Sequence, residues 1–377
     1  MPYWRLSGFY FFYFATVGAL VPYWGLYLQS VGFVPREIGQ LMALLMLSRI
    51  VAPYLWGWLA DHSGERLRVV RLASLLAAVA FGGVFFGTTF WYLAGVMLTF
   101  SFFWNAALPV LEGATLAHLR EHTSRYGFVR LWGSIGFIIA VAAVGPLLDA
   151  RGTASLLPVV LALMLGIWLA SLAIPDPHRV EHHPHPQRFL HSFLRLEVIA
   201  FLFACFLMQA SHGSYYTFYS IYLHDMGYSK NVIGLLWAFA VVCEIGVFLA
   251  MRPLFARFSL LAILLASFLL AAVRWFAIAF FPDAIAVLLF AQMLHAATFG
   301  AFHASALQMI HGFFTGRHQH RGQAIYSSAS FGLGGAVGSF YSGYVWSIGG
   351  GRLAFGIAAL LALAAFGVAY WALRPKT

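Results

Sequence analysis

Apolar stretches of 20 residues or more follow one another along almost the whole of this chain, at 6–29, 37–60, 68–88, 91–118, 127–149, 153–174, 196–222, 231–257, 259–281, 284–312, 322–347 and 350–373. A helix rises 1.5 Å per residue, so a run of about 20 crosses the roughly 30 Å hydrocarbon core of a bilayer. Lipid offers the backbone no hydrogen bonds, and these runs show no alternation of polarity, which selects helices over barrel strands. The composition agrees: 9% of residues are charged and mean hydropathy is +0.83, whereas soluble domains carry about 25% charge. An all-α membrane protein of 12 transmembrane helices is expected, with no room for a large extramembrane domain. The first run is too long and too aromatic for a cleaved signal peptide and ends in no small-residue cleavage site.

An internal echo organises these helices. Residues 26–43, LYLQSVGFVPREIGQLMA, return 195 positions later as IYLHDMGYSKNVIGLLWA at 221–238. The register holds throughout, pairing Tyr27 with Tyr222, Gly32 with Gly227, Ile38 with Ile233 and Gly39 with Gly234. A duplicated six-helix half is the reading, with bundles at 1–174 and 196–377 related by a pseudo-two-fold axis along the membrane normal. The hydrophilic stretch 175–195, PDPHRVEHHPHPQRFLHSFLR, becomes a linker. His182, His183 and His185 form a short run in it with no thiolate, and a solvated connector is expected rather than a metal site. Cys205 and Cys243 sit inside apolar segments and carry no redox signal.

Basic residues set the orientation. Assigning both termini and the even-to-odd loops to one side collects 16 Lys and Arg residues there, against Arg36, Arg151, Lys230 and Arg352 on the other. The positive-inside rule then places both termini in the cytoplasm. The net charge of +10 is this asymmetry, spread over separate loops, and is no nucleic-acid footprint.

Charged side chains in mid-membrane cost about 2.5–3.5 kcal/mol each on insertion scales, so they mark function or a pairing. Arg49, Glu112, Glu244, Arg274 and His295 stand in such positions, on the second, fourth, eighth, ninth and tenth segments. Glu244 falls in the second copy where the first has Arg49. Glu244 or Glu112 taking a proton beside arginines that attract an anion is the chemistry of coupled transport. Arginine also binds a carboxylate ligand bidentately. Other engines lack their motifs: the only lysines, Lys230 and Lys376, follow Ser229 and Pro375, which excludes a P-loop, and no serine sits in a G-x-S-x-G elbow. An enzyme is not expected.

The loop after the second segment reads Gly57-Trp-Leu-Ala-Asp61-His-Ser-Gly64-Glu-Arg66-Leu-Arg68. It resembles the G-x-L-a-D-r-x-G-r-k signature of the major facilitator superfamily, and the resemblance implies a cytoplasmic gate built from Gly57, Asp61, Gly64, Arg66 and Arg68. The whole chain is similar to the lactose permease branch, and within it to the bacterial 3-phenylpropionate permeases. Pro109-Val-Leu-Glu112, Tyr126-Gly-Phe-Val-Arg130-Leu-Trp-Gly133, Val273-Arg274-Trp275 and Gln292-Met-Leu-His295-Ala-Ala-Thr298-Phe299 carry that likeness. It implies that Glu112 and Arg130 form a substrate-binding pair and that Glu244, Arg274 and His295 couple the proton. The chain departs from lactose permease at Gln292 and Thr298, where that branch has lysine and glutamate, which moves the proton role to Glu244. Tyr215 and Tyr216 occupy the region of its aspartates, and no lysine stands near Phe331–Gly334. The drug-antiporter pattern is absent from the fifth segment, which favours import.

Tyr23, Trp24, Tyr215, Tyr216 and Tyr219, with Asn105 and Gln292, complete the expected substrate-binding set around Arg49, Arg274, Glu112, Arg130 and His295. The expectation is a proton-coupled symporter for a small organic anion, an aromatic carboxylate above all. It needs no cofactor or metal beyond the proton gradient, has substrate, protons and the lipid bilayer as partners, and works as a monomer. The alternatives are a sugar or nucleoside symporter of the same fold and a lipid flippase.

Overall fold

The computed structural model describes residues 2–119, 122, 125–176, 193–316 and 319–374, and the linker histidines 182, 183 and 185 lie outside them. Among the described residues there is no strand, and 11 helices are long and apolar enough to cross a membrane. They are α1 (Tyr3–Ser30), α2 (Pro35–Ser63), α3 (Arg66–Phe85), α4 (Phe90–Leu119), α5 (Tyr126–Arg151), α6 (Thr153–Leu172), α7 (Leu196–Asp225), α8 (Lys230–Arg257), α9 (Leu260–Phe280), α10 (Ile285–Phe313) and α11 (Arg321–Leu373). At 53 residues, α11 would run about 80 Å if straight, far beyond a bilayer. It does not run straight: Gly349 and Gly350 leave helical geometry, Gly350 at φ +62°, and two helices meet there across a kink. The expected boundary between the last two apolar runs, 347 and 350, falls on that kink.

The sequence echo is an echo of structure. After α1, Gly32 adopts φ +99°, and after α7, Gly227 adopts φ +90°. Each turn is closed by the same bonds: Phe33 N donates to Leu28 O and Gly32 N to Gln29 O, as Tyr228 N donates to Leu223 O and Gly227 N to His224 O. This is a Schellman-type cap, and its left-handed residue admits glycine at little cost and other residues poorly. The same logic fixes Gly64 at φ +67° behind α2, where its N–H bonds Ala60 O and turns the chain into α3.

Cα proximity divides the chain into two compact units. One comprises Met1–Phe33, Leu47–Pro184 and Ser229–Ala238, and the other Val34–Met46, His185–Tyr228 and Phe239–Thr377. Thus α2 and α8 each begin in one unit and end in the other. Without a hydrophobic drive between helices in lipid, packing rests on close approach of small residues. In the first unit α1 meets α5 at Gly18, where a methyl group would lie 2.6 Å from Phe137 O. In the second, α7 meets α11 at Gly213, where a methyl group would collide with the Gly338 backbone. Gly18 and Gly213 are again 195 residues apart.

The starts of α8 and α2 are seated by equivalent glycines. In the first unit a methyl group on Gly145 would lie 2.5 Å from Lys230 O, and one on Gly234 would lie 2.5 Å from Val141 O. In the second, a methyl group on Gly343 would lie 2.7 Å from Pro35 O, and one on Gly39 would lie 2.7 Å from Ser339 O. The polar fastenings differ. Asp149 on α5 caps α8, accepting from Lys230 N at 3.0 Å and Asn231 N at 2.9 Å. At α2, Tyr344 accepts from Gln40 Nε2 at 3.0 Å and lies 4.3 Å under the Arg36 guanidinium.

Candidate functional site

The ionisable residues singled out in the sequence gather into one cluster in the second unit and two in the first. The second-unit cluster centres on Arg274 of α9, which is fully buried. Its Nη1 donates to His295 Nδ1 at 3.0 Å and Thr298 Oγ1 at 3.2 Å, and its Nη2 donates to Gln292 Oε1 at 2.9 Å. The rings of Tyr215 and Trp275 lie 4.2 and 4.5 Å from the guanidinium carbon. Every acceptor is neutral, Nε has no partner, and among the described residues no carboxylate forms an ion pair with Arg274. A buried cation held by dipoles and π-faces alone has a large unmet electrostatic demand.

His295 carries that demand outwards. A guanidinium only donates, so Nδ1 of His295 must accept, which leaves the imidazole proton on Nε2. Nε2 lies 3.6 Å from Glu244 Oε2 on α8. The order is therefore cation, neutral imidazole, carboxylate, running from α9 through α10 to α8. Local sequence builds this approach. The backbone passes into a π-helical stretch, Ala296–Ala301, directly after His295, a distortion common at functional positions. Within it Gly300 presents no side chain to Glu244, whose Cγ would be 3.2 Å from a methyl group there. His295 also stacks on Phe299, with ring centroids 5.3 Å apart.

Tyr215 joins the cluster through Gln292, whose Nε2 donates to its hydroxyl at 3.1 Å. Tyr219 packs on Tyr215 at 4.8 Å, and Tyr216 at 5.5 Å. Two participants were not singled out as site residues. Thr298 completes the Arg274 shell, and His212, at the centre of α7, sets its ring edge-on to Trp275 at 4.8 Å. His212 Nδ1 bonds Met208 O at 2.8 Å, and its Nε2 is buried without a partner. The signal was present, since a histidine in mid-span is as conspicuous as an arginine.

In the first unit Arg49 of α2 donates from Nε to Asn105 Oδ1 at 3.2 Å, and Asn105 Nδ2 donates to Ser48 Oγ at 2.7 Å. Asn105 of α4 is thereby oriented, its carbonyl towards the cation. Further along α4, Glu112 accepts from Tyr126 OH at 3.2 Å. Arg130 of α5 lies 3.7 Å over the Phe14 ring and 5.9 Å from that of Tyr10. Glu112 and Arg130 thus share a neighbourhood, but among the described residues no ion pair joins them; aromatic groups of α1 and α5 hold each one. Tyr23 and Trp24 are fully buried. Tyr23 donates to Val141 O at 2.7 Å, and Trp24 Nε1 bonds Met97 Sδ at 3.4 Å.

Across the turn from α2 to α3, Arg66 Nη2 bonds Asp61 Oδ1 at 2.9 Å, and Arg68 pairs with Glu65 at 2.7 Å. Arg66 also reaches towards α4, where its Nη1 would be 3.6 Å from a methyl group on Gly113. Gly64 makes the turn, and Gly57 has nothing within 4 Å of an added methyl group. Such exposed pairs contribute about 0–1 kcal/mol each, so they hold a contact that is readily broken.

Known proteins resemble this chain over its whole length. The family described as MFS_1 like matches residues 3–357. A probable 3-phenylpropionic acid transporter of Escherichia coli (strain K12) is 32% identical over 374 residues, covering 97% of this chain and 96% of that protein. The maltose permease of Geobacillus stearothermophilus is 30% identical over 364 residues, covering 94% and 91%. Among solved structures, the nucleoside transporter NupG superposes with a TM-score of 0.85 at 18% identity, covering 100% of both chains.

Proposed function

This chain belongs to the MFS_1 like family of major facilitator transporters, and from that premise we propose that it takes up a small organic anion together with a proton. It is a multi-pass membrane carrier and not an enzyme. The substrate class is an aromatic carboxylate of the phenylpropionate type. The observation that carries this reading is Arg274, a buried cation whose partners are all neutral.

An arriving carboxylate satisfies Arg274 better than an imidazole does, because a charge-assisted, bidentate bond is stronger than a neutral one. His295 then loses its donor at Nδ1. The negative charge also cancels the positive field that opposes a proton on Glu244, so anion and proton promote each other's binding. Glu244 carries the proton, and His295 transmits between it and Arg274. Arg49, oriented by Asn105, offers a second attraction for the anion; Glu112 and Arg130 shape the cavity wall. The proton gradient drives the cycle without a cofactor, and the monomer suffices.

In this reading the kink at Gly349–Gly350 makes twelve spans, and the halves 1–174 and 196–377 alternate access about a pseudo-two-fold axis. The excess of Lys and Arg on one side supports cytoplasmic termini, and the bacterial relatives support an inner-membrane carrier. A second reading, a sugar or nucleoside symporter, draws support from the maltose permease relative and the nucleoside transporter fold, with Glu112 as hydroxyl acceptor.

Proteoliposomes separate the two. Under an inward proton gradient, labelled 3-phenylpropionate is expected to accumulate, and maltose and uridine are not. Glu244→Gln is expected to abolish accumulation while keeping exchange of internal for external anion. Accumulation of the acid by Glu244→Gln removes the proton role from that residue, and uptake of only the neutral compounds selects the second reading.

A further inference from the structure

A groove of about 370 Å³ runs between α2 and α4 in the first unit. Its walls are Leu47 and Val51 from α2 and Leu98, Phe102 and Phe103 from α4, with Ser48 and Thr99 as the polar lining. Leu47, Val51 and Leu98 are 44, 50 and 43% exposed, so the groove is open. Trp56 backs it, its ring 6.2 and 5.8 Å from Phe102 and Phe103.

One end of this apolar trough connects to charge. Ser48 accepts from Asn105, which accepts from Arg49 Nε. An apolar trough beside a guanidinium matches an amphiphilic anion. It does not match a sugar, whose hydroxyls would face leucine, valine and phenylalanine; Ser48 and Thr99 are the only polar lining, and Thr99 already donates to Gly95 O at 2.7 Å.

We infer that this groove receives the hydrocarbon body of the transported anion, with Val51, Leu98 and Phe102 setting the length of tail the carrier accepts. The inference rests on the proposed uptake of aromatic acids and adds the surface that measures them. Pocket contacts with one methylene distinguish substrates by about 10- to 200-fold, so side-chain volume here should move selectivity by that order.

The test is a competition series in proteoliposomes. Benzoate, phenylacetate, 3-phenylpropionate and 4-phenylbutyrate compete for labelled 3-phenylpropionate uptake by the wild type, Val51→Trp and Leu98→Ala. Filling the groove with Val51→Trp is expected to weaken 4-phenylbutyrate relative to benzoate by about tenfold. Emptying it with Leu98→Ala is expected to shift the ratio the opposite way, which a folding defect does not do. If the wild type takes up the acids and both variants weaken the whole series equally, the groove inference falls and the proposed function stands. If native mass spectrometry shows Val51→Trp merely displacing copurified phospholipid with acid selectivity unchanged, the occupant is a lipid acyl chain and the inference falls. If the wild type takes up none of the acids, the proposed function fails and the inference with it.

Discussion

Arg274 holds His295 by Nδ1 at 3.0 Å, and that single bond decides which side of the imidazole can face Glu244. The ring serves as a neutral bridge, accepting on one side and presenting N–H on the other. A glutamine reproduces both roles without titrating. His295→Gln is therefore expected to keep proton-driven uptake within about tenfold of wild type, and His295→Ala to lose about 100-fold, as buried polar partners left unsatisfied cost about 1–3 kcal/mol each. Initial rates of uptake across a pH series check this. If glutamine is as inactive as alanine, the ring itself takes the proton.

Asn105 presents a carbonyl to Arg49 at 3.2 Å. Asn105→Asp places a carboxylate there and satisfies the guanidinium internally. The folded carrier is expected to survive, while its apparent affinity for the anion falls by about tenfold or more, from competition worth about 1.4 kcal/mol or more. Binding of labelled anion to the purified variant gives the number, and an unchanged affinity would remove Arg49 from the anion site.

Asp149 caps α8 through two consecutive backbone N–H groups. Removing a helix N-cap costs about 0.5–2 kcal/mol, and the carboxylate gains further from the helix dipole. Asp149→Ala is expected to raise amide hydrogen exchange across residues 229–238 by about three- to thirtyfold. Asp149→Asn, which keeps an acceptor, is expected to raise it less. Exchange across residues 34–46, fastened by Tyr344 instead, should stay as it was.

Gly32 and Gly227 occupy the same left-handed turn. Alanine at either is expected to cost about 1 kcal/mol, and the two losses to agree closely because the local bonds are the same. Gly8, in the second turn of α1 with open space around it, is the contrast: alanine there should be neutral or stabilising by up to about 1 kcal/mol. Thermal unfolding in detergent measures all three.

The helices were legible because lipid leaves a chain few options, and the duplicated turn because Gly32 and Gly227 sit in a repeated sentence of 18 residues. The break at Gly349–Gly350 was legible from glycine between two apolar runs. Arg49, Glu244, Arg274 and His295 stood out for their insertion cost alone. Their partnerships did not. That Arg274 bonds His295, Gln292 and Thr298 is a contact between two successive helices, which no spacing in the sequence states. The separation of Glu112 from Arg130 was equally hidden, since Phe14 and Tyr10, which hold the arginine, come from a helix more than 100 residues away. The groove beside Arg49 is made of ordinary apolar residues and has no signature of its own.

The order cation, imidazole, carboxylate in the second unit also fixes a sum of charges. Empty, with Arg274 positive and Glu244 negative, the cluster adds to zero; with an anion and a proton both aboard, it again adds to zero. With only one of them it stands at plus or minus one, a state whose passage through a low-dielectric barrier is strongly disfavoured. Under the proposed cycle the carrier therefore reorients only when fully loaded or fully empty. Each turnover is electrically silent, and a potassium diffusion potential, worth about 2.3 kcal/mol per charge per 100 mV, would leave its rate where it was.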